Sequence, residues 1–354
     1  MNRPALDTAT NKFLFSLFNV LLLFIGISSD VEAFQWETAK YKGQDHVTLR
    51  SLKSFYFFDK ISYGADIVLY RAPSTRQGKK TPEIEMKFRS GSYSCIMNGV
   101  LFKLSHPVIN NGGKYLISRT DLVKLVDPVL RPSHIKNAKP FTTVVIDPGH
   151  GGKDSGSLGF YKVHEKYYAL KIAQMVRDDL QKLGYRVVMT RDSDVFVSLA
   201  NRVRIANKYP DAVFISIHFN SGGNGKANGI ETFTISPVGV PHMGRGVQQR
   251  DFRVVPGNRT DSASIALATA AHSRALLYLN NPKWGANYQI EDRGIKRARF
   301  NVLTGIRIPA ILLEGGFISN RIEARKVHSI SYQKTLAAAI VRAVSVYRKS
   351  IVGR

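Results

Sequence analysis

Apolar and β-branched residues between residue 141 and residue 350 form short runs that alternate with helical patterns. The short runs predict four buried strands, over residues 142–146, 186–190, 212–218 and 310–313. Apolar residues at helical spacing predict three helices, over residues 163–183, 195–208 and 261–279. Strands that alternate with helices indicate an α/β fold, in which helices cover both faces of a mixed, partly parallel sheet.

The preceding segment has a different pattern. Residues 34–130 contain short β-rich runs, partly alternating, that are broken by Gly, Pro, Asn and Asp. This pattern predicts a small β-rich accessory domain of hairpins with one or two short helices. Asn98 and Gly99 are expected to form a two-residue hairpin turn. Residues 131–140 are polar and contain proline, so we interpret them as a linker to an α/β domain over residues 141–350.

The start of the chain has the features of a secretory signal over residues 1–33. Arg3 and Lys12 precede an apolar stretch, and small residues lead to Ala33. We expect cleavage before Phe34 and export to the periplasm or cell envelope. An uncleaved membrane anchor is the alternative, but about 15 apolar residues are fewer than the roughly 20 that span a bilayer.

The chain is strongly basic, with 51 Lys and Arg against 26 Asp and Glu and a formal net charge of +25. This charge indicates a polyanionic partner or surface. Export argues against nucleic acid, so anionic envelope polymers or lipid headgroups are the expected partners; a role in solubility alone is the alternative. The single cysteine, Cys95, excludes an intrachain disulfide and a thiolate metal site, and we expect it to be buried.

Two of the predicted strands lead to a histidine. His150 comes shortly after residues 142–146 and an Asp-Pro-Gly turn, and His218 ends the run over residues 212–218. One such histidine alone is more typical of a hydrogen-bonded loop residue. Two imidazoles at the carboxyl ends of strands indicate a metal site, because neutral imidazole is a common zinc ligand.

Two glutamates complete a candidate metal centre. Glu165 lies in the first turn of the helix predicted over residues 163–183, where a carboxylate can cap the helix or face His150 as a third ligand. Glu314 follows the apolar run over residues 310–313, where an unpaired carboxylate would be costly to bury. Two His, one Glu ligand and a second Glu as base resemble a set used for metal-assisted amide hydrolysis.

Seven short motifs resemble, in the same order, those of the zinc-dependent N-acetylmuramoyl-L-alanine amidases, the type 3 amidase family. The motifs are IDPGHGGKDSG, HEK, VVMTRDSD, LANRVRIAN, ISIHFNS, GIETF and PAILLEGGFISN. They extend over most of residues 142–347, and their joint occurrence is what makes the resemblance specific. Residues 34–130 loosely resemble the small domain named after the amino-terminal domain of copper amine oxidases. That resemblance does not imply a copper site in this chain.

The resemblance implies roles for particular residues. His150, Glu165 and His218 would bind one zinc ion per chain, and Glu314 would be the catalytic glutamate. Four other residues are candidates for substrate binding or for support of the ligands: Asn220, Arg202, Arg191 and Glu231. For the two arginines, ion pairs that tie loops to helices are the alternative to substrate contact.

The implied reaction is hydrolysis, by zinc-activated water, of the amide bond between N-acetylmuramic acid and the L-alanine of the peptidoglycan stem peptide. We expect a monomer whose substrate is peptidoglycan, and the sequence identifies no activator protein. The alternatives are a metallopeptidase that acts on peptidoglycan cross-links and a cell-wall-binding protein without activity. Another divalent ion could replace zinc in vitro.

A long irregular stretch over residues 236–261 is of the kind that often forms a lid or a regulatory segment. In the type 3 amidase family that the chain resembles, some members block their zinc with a helix inserted in this region. The stretch is shorter here and leads into a helix that belongs to the predicted fold, so we expect open access to the metal.

Overall fold

The computed structural model of the protein describes residues 34–76, 79–222, 224–284 and 287–352. The predicted secretory signal, residues 1–33, lies outside these ranges. No helix within them combines the length and the hydrophobicity that crossing a bilayer requires.

Short strands dominate the N-terminal region. They are β1 (Thr38–Tyr41), β2 (Gln44–Thr48), β3 (Lys60–Tyr63), β4 (Ile67–Arg71), β5 (Ser74–Arg76), β6 (Lys79–Thr81), β7 (Ile84–Phe88), β8 (Ser94–Met97), β9 (Val100–Lys103), β10 (Ile109–Asn111) and β11 (Lys114–Ser118). Helix α1 is Leu49–Phe55, and a second helical segment, α2, joins α-helical Arg119–Asp121, a π-helical turn at Leu122–Val126 and α-helical Asp127–Leu130. The prediction of a β-rich region with one or two short helices is confirmed.

The predicted hairpin turn at Asn98 and Gly99 is present. Met97 of β8 pairs with Val100 of β9, which leaves two residues in the turn. Both have positive φ, 49° at Asn98 and 77° at Gly99, as the favoured two-residue turn requires. Cys95, on β8, is fully buried, as predicted.

Strands and helices alternate in the C-terminal region. The strands are β12 (Thr143–Pro148), β13 (Arg186–Met189), β14 (Ala212–Asn220), β15 (Ile230–Ile235), β16 (Asp292–Ala298) and β17 (Ala310–Phe317). The helices are α3 (Glu165–Lys182), α4 (Leu199–Ala206), α5 (Asp261–Asn280), α6 (Asn301–Gly305), α7 (Arg321–His328) and α8 (Ile330–Val352). Short 3₁₀ turns lie at Pro132–His134, Gln249–Phe252 and Pro256–Thr260.

The C-terminal sheet is mixed and partly parallel, as predicted. Strands β13, β12, β14 and β17 are adjacent in that order and parallel, whereas β15 is antiparallel to β17 and parallel to β16. Side chains of β12 alternate between two cores. Val144 and Ile146 pack into the core that includes α3, α5 and α8, and Val145 packs into the core that includes α4 and α6. Helices therefore cover both faces, which brings the carboxyl ends of β12, β14 and β17 to one edge of the sheet.

Three predicted boundaries near the candidate site differ from the structure. Strand β14 continues past His218 to Asn220, and β17 continues past Glu314 to Phe317, so both side chains project from within a strand. Helix α4 begins at Leu199 rather than near residue 195, because the side chain of Ser198 caps it by accepting from Asn201 N–H. Helix α5 begins at Asp261, as predicted, and Asp261 pairs with Lys124 at 3.0 Å.

One sheet of eleven strands runs through both described regions, in the order β13-β12-β14-β17-β15-β16-β9-β8-β7-β4-β3. The two regions join where β9 lies parallel to β16, with Phe102 opposite Ile295. Asp292 strengthens this junction because its Oδ2 accepts from Leu101 N–H at 2.8 Å. On the same strand, the buried Arg297 donates to the carbonyl oxygen of Lys124 in α2. The division into an accessory domain and a linker remains a prediction, and the structure gives the two regions a continuous sheet and core.

Loss of the Asp292 carboxylate is expected to destabilise the protein by about 2–4 kcal/mol. Asp292 also accepts from Gly294 N–H and faces Nε2 of the fully buried His272 at 2.8 Å. Asp292→Ala would leave several buried donors unsatisfied, so the urea midpoint should fall. The exposed Asp211→Ala variant is the control, and equal midpoints for the two variants would contradict the assigned role of the junction.

Candidate active site

Four candidate side chains converge at the edge of the sheet formed by the carboxyl ends of β12, β14 and β17. His150 follows β12 by two residues, and Glu165 is the first residue of α3. His218 of β14 and Glu314 of β17 are register partners on adjacent parallel strands. The four candidates predicted from sequence are thus brought together by one sheet edge and one helix start.

Glu165 lies between the two histidines. Its Oε1 is 2.8 Å from Nδ1 of His218, and its Oε2 is 3.1 Å from Nε2 of His150. One donor atom from each of the three residues lies within 4.8 Å of the others, so the group could hold a metal ion. The two imidazole rings meet edge to face, with centroids 4.9 Å apart.

The charges in this group favour an ionised Glu165. Burial raises the pKa of Glu165, but hydrogen bonds with His150 and His218 outweigh burial and hold the pKa well below its ordinary value. Burial lowers the pKa of His150, and its bonds with Glu165 and Asp154 reverse that effect and raise it. Protons and a metal ion compete for the imidazole of His150, so metal affinity falls as the pH falls.

Backbone and side-chain partners fix the orientation of the three residues. Asp154 Oδ1 lies 2.8 Å from His150 Nδ1, on the side of the ring opposite Glu165. The backbone N–H groups of Ser157 and Phe219 donate to Glu165, each at 3.1 Å. Such outer partners select the tautomer and the ring orientation of a ligand histidine. Sequence reasoning gave Asp154 no role, although it lies four residues after His150 in IDPGHGGKDSG.

Glycines in the same motif allow the close approach of these groups. A Cβ atom on Gly149 would lie 2.4 Å from the ring of His218. A Cβ atom on Gly156, where φ is +64°, would lie 2.7 Å from the ring of His150 and 2.8 Å from Oε2 of Glu165. Both positions therefore require glycine for the centre to form.

Glu314 lacks the partners that Glu165 has. Its Oε2 atom is inaccessible to solvent and has no hydrogen-bond partner in the described part of the chain. Burial, and then the negative charges of Glu165 and Glu231, raise the pKa of Glu314 well above its ordinary value. A cation held by the His-Glu-His group would counter all three effects, so the unpaired oxygen and the donor set both fit a bound divalent metal ion.

The four other predicted residues lie near the site in different roles. Asn220 lines the cleft, and its Oδ1 accepts from Ser221 N–H. Glu231 is the register partner of Glu314 across β15 and β17, yet its carboxylate pairs with Arg293 and Lys296 instead of joining the ligand group. The remaining two, Arg191 and Arg202, are buried and donate mainly to backbone carbonyl groups.

A cleft of about 810 Å³ gives access to the four residues. Its walls include Phe196, Leu199, Phe300 and Asn301. None of the described residues that line it comes from residues 238–258, the central part of the irregular stretch predicted over residues 236–261. That segment is held beside the cleft by Arg299, which lines the cleft. Arg299 donates to the carbonyl groups of Pro237, Val240 and Asp251.

Comparison with known proteins decides the family. A model of the family described as N-acetylmuramoyl-L-alanine amidase matches residues 144–346. The chain belongs to this amidase family. AmiA of Escherichia coli, an N-acetylmuramoyl-L-alanine amidase, is 30% identical over 257 residues, which cover 67% of this chain and 86% of AmiA. AmiC of Escherichia coli is 30% identical over 248 residues, which cover 65% of this chain and 59% of AmiC.

A solved structure gives a similar match. N-acetylmuramoyl-L-alanine amidase AmiC2 of Nostoc punctiforme is 32% identical, with a TM-score of 0.48, and the match covers 60% of this chain and 99% of that chain. The family and the enzyme class predicted from the sequence, N-acetylmuramoyl-L-alanine amidase, are confirmed by the family match. The alternatives of a cross-link metallopeptidase and of an inactive wall-binding protein are not favoured.

Proposed function

We propose that this amidase uses the cleft to hydrolyse the amide bond between N-acetylmuramic acid and the L-alanine of the peptidoglycan stem peptide. His150, Glu165 and His218 would hold one zinc ion, and Glu314 would be the catalytic base. The observation that supports this proposal best is the unpaired, solvent-inaccessible Oε2 of Glu314 beside the three donor residues.

Zinc suits the donor set better than a harder ion does. Two imidazoles with one carboxylate form one of the protein ligand sets of catalytic zinc sites, whereas Mg²⁺ and Ca²⁺ prefer oxygen ligands alone. Both Glu165 oxygens face an imidazole nitrogen, so the two ligand types lie side by side. Other divalent transition metals share this preference, so zinc is a proposal that metal analysis must test.

The residues divide the chemistry between them. A bound zinc ion supplies a Lewis acid that activates water and stabilises negative charge on the carbonyl oxygen of the substrate. Glu314 accepts a proton from the attacking water as the carbon–oxygen bond forms. The same carboxyl group then returns the proton to the departing alanine nitrogen as the carbon–nitrogen bond breaks. Asp154 keeps the ring of His150 oriented during both steps.

Mass spectrometry of the products distinguishes the proposed activity from its alternatives. An amidase releases free stem peptides with L-alanine at their amino termini and leaves the glycan strands intact. A cross-link peptidase leaves stem peptides attached to sugar, and a binding protein releases neither. Digestion of purified peptidoglycan should give the first pattern, chelator-treated enzyme should give none, and added zinc should restore it. Stem peptides that remain attached to sugar would contradict the proposal.

The surroundings of the enzyme are also part of this proposal. The predicted signal over residues 1–33 supports export to the periplasm or envelope, and the basic net charge of +25 supports a location near anionic polymers or lipid headgroups. A monomer remains our prediction. Since no described residue of 238–258 lines the cleft, we propose that this segment leaves the metal centre accessible without an activator.

A further inference from the structure

The backbone at His150 has an unusual conformation. Its φ is +61°, in the left-handed region that residues other than glycine adopt infrequently. Glycines on either side, Gly149 and Gly151, give the chain the freedom to reach this conformation, but they do not hold it there. A residue in this region persists when surrounding contacts over-determine it. The contacts that hold His150 should therefore be identifiable.

Arg202 provides the first set of contacts. It projects from α4 and is almost completely buried. Its Nη2 donates to the carbonyl oxygen of His150 at 2.6 Å, and its Nη1 donates to the carbonyl oxygen of Pro148 at 2.7 Å. The planar guanidinium thus places two separate nitrogen donors, in a fixed geometry, on the two carbonyl groups that flank Gly149, whereas lysine has only one nitrogen, on a flexible stem.

Arg191 provides the second set from the end of β13. Its Nη2 donates to the carbonyl oxygen of Gly149 at 2.7 Å and to that of Lys166 at 3.0 Å. Its Nε donates to the carbonyl oxygen of Pro148 at 3.1 Å. The two arginines therefore bind every carbonyl group of residues 148–150. The bond to Lys166 also ties this loop to the first turn of α3, which begins at Glu165.

A buried carboxylate compensates for the charge of Arg202. Asp147 is the register partner of Ser216 and lies at the end of β12. Its Oδ1 is 2.6 Å from both Arg202 Nη1 and Thr190 Oγ1, and its Oδ2 accepts from Ser216 Oγ at 2.7 Å. Both oxygens of Asp147 therefore have hydrogen-bond partners. The carboxylate balances the charge of Arg202 and also holds its guanidinium in position.

We propose that Arg202 and Arg191 are positioning residues that hold His150 in the geometry needed for metal binding. They act through the backbone: by fixing the carbonyl groups of residues 148–150, they direct the imidazole of His150 toward Glu165. The inference rests on the proposed metal site, and it assigns to these arginines neither substrate contact nor a purely local ion pair.

The test compares the zinc affinity of the Arg202→Lys variant with that of the wild-type protein. Lysine keeps a positive charge, but its one ammonium nitrogen cannot occupy the positions of both Nη1 and Nη2. Apparent zinc affinity, measured by competition with a chromophoric chelator, should fall by about 10–100-fold, the range for outer partners of metal ligands. The absorption spectrum of the cobalt(II)-substituted protein should also change, because the imidazole no longer has a fixed orientation. Far-ultraviolet circular dichroism of the metal-free variant should match wild type.

The control is Arg204→Lys, an exposed position on the same helix, which should bind zinc and cobalt as wild type does. A folded Arg202→Lys variant with wild-type zinc affinity and cobalt spectrum would overturn the inference. If Arg202→Lys does not fold, Arg191→Lys decides: weakened zinc binding supports the inference, and unchanged binding or failure to fold overturns it. Absence of stoichiometric zinc binding in wild type would instead refute the proposed metal site itself.

Discussion

Replacing Glu314 by Gln is expected to lower kcat on purified peptidoglycan by about 10²–10⁴-fold, the contribution typical of general acid–base catalysis. Glutamine has the shape of glutamate but cannot accept the proton of the attacking water at neutral pH. Zinc binding should persist, because His150, Glu165 and His218 are unchanged.

Glu314→Gln is also expected to affect the stability of the metal-free protein. Burial, followed by the charges of Glu165 and Glu231, raises the pKa of Glu314 well above its ordinary value, so its ionised form is disfavoured in the folded metal-free protein. As the pH rises above the ordinary pKa of glutamate, the unfolded chain loses this proton more readily than the folded one, which lowers the stability of the metal-free wild type. Glutamine has no such proton, so the metal-free variant should be at least as stable as wild type in that range. The control for both measurements is Glu291→Gln, which makes the same substitution at an exposed position. A turnover for Glu314→Gln within a few-fold of that control would show that another group is the base.

Replacing His218 by Ala is expected to abolish both stoichiometric zinc binding and activity. Loss of one of three protein ligands removes more than an outer partner contributes, so zinc affinity should fall by more than about 100-fold. Oε1 of Glu165 would also lose the imidazole nitrogen of His218, 2.8 Å away, and keep only the Phe219 N–H as a partner.

His164→Ala is a matched control for this substitution. His164 is exposed, immediately precedes Glu165 and makes no side-chain cap bond to α3. The control should bind one zinc ion per chain and retain activity on peptidoglycan. If His218→Ala kept one tightly bound zinc ion, measured by elemental analysis after dialysis, the metal would not be held where we place it.

The candidate site was predictable because its signals are local. Strands with β-branched runs end close to His150, His218 and Glu314, and parallel strands place their carboxyl ends at the same edge. The start of α3 at Glu165 was also close to its predicted position. The strand ends were wrong at His218 and Glu314, because pairing between β14 and β17 continues beyond both residues and short runs do not show that.

Features that depend on distant pairing were not predictable. The sequence indicated two separate regions, but β9 pairs with β16 across nearly two hundred residues, and only one register pair marks the contact. Arg191 and Arg202 were ambiguous for a similar reason. Their sequence motifs do not reveal that their donors reach the carbonyl groups of residues 148–150, since those carbonyl groups face the arginines only after β12, β13 and α4 have packed together.

The most direct test of the metal centre is a zinc-edge anomalous difference map from crystals of the zinc-loaded protein. We predict one strong peak per chain, within about 2.0–2.2 Å of a nitrogen of His150, a nitrogen of His218 and an oxygen of Glu165. Glu314 should lie beside the peak but outside its ligand shell. A peak elsewhere, or no peak between these three residues in a protein that hydrolyses peptidoglycan, would contradict the account.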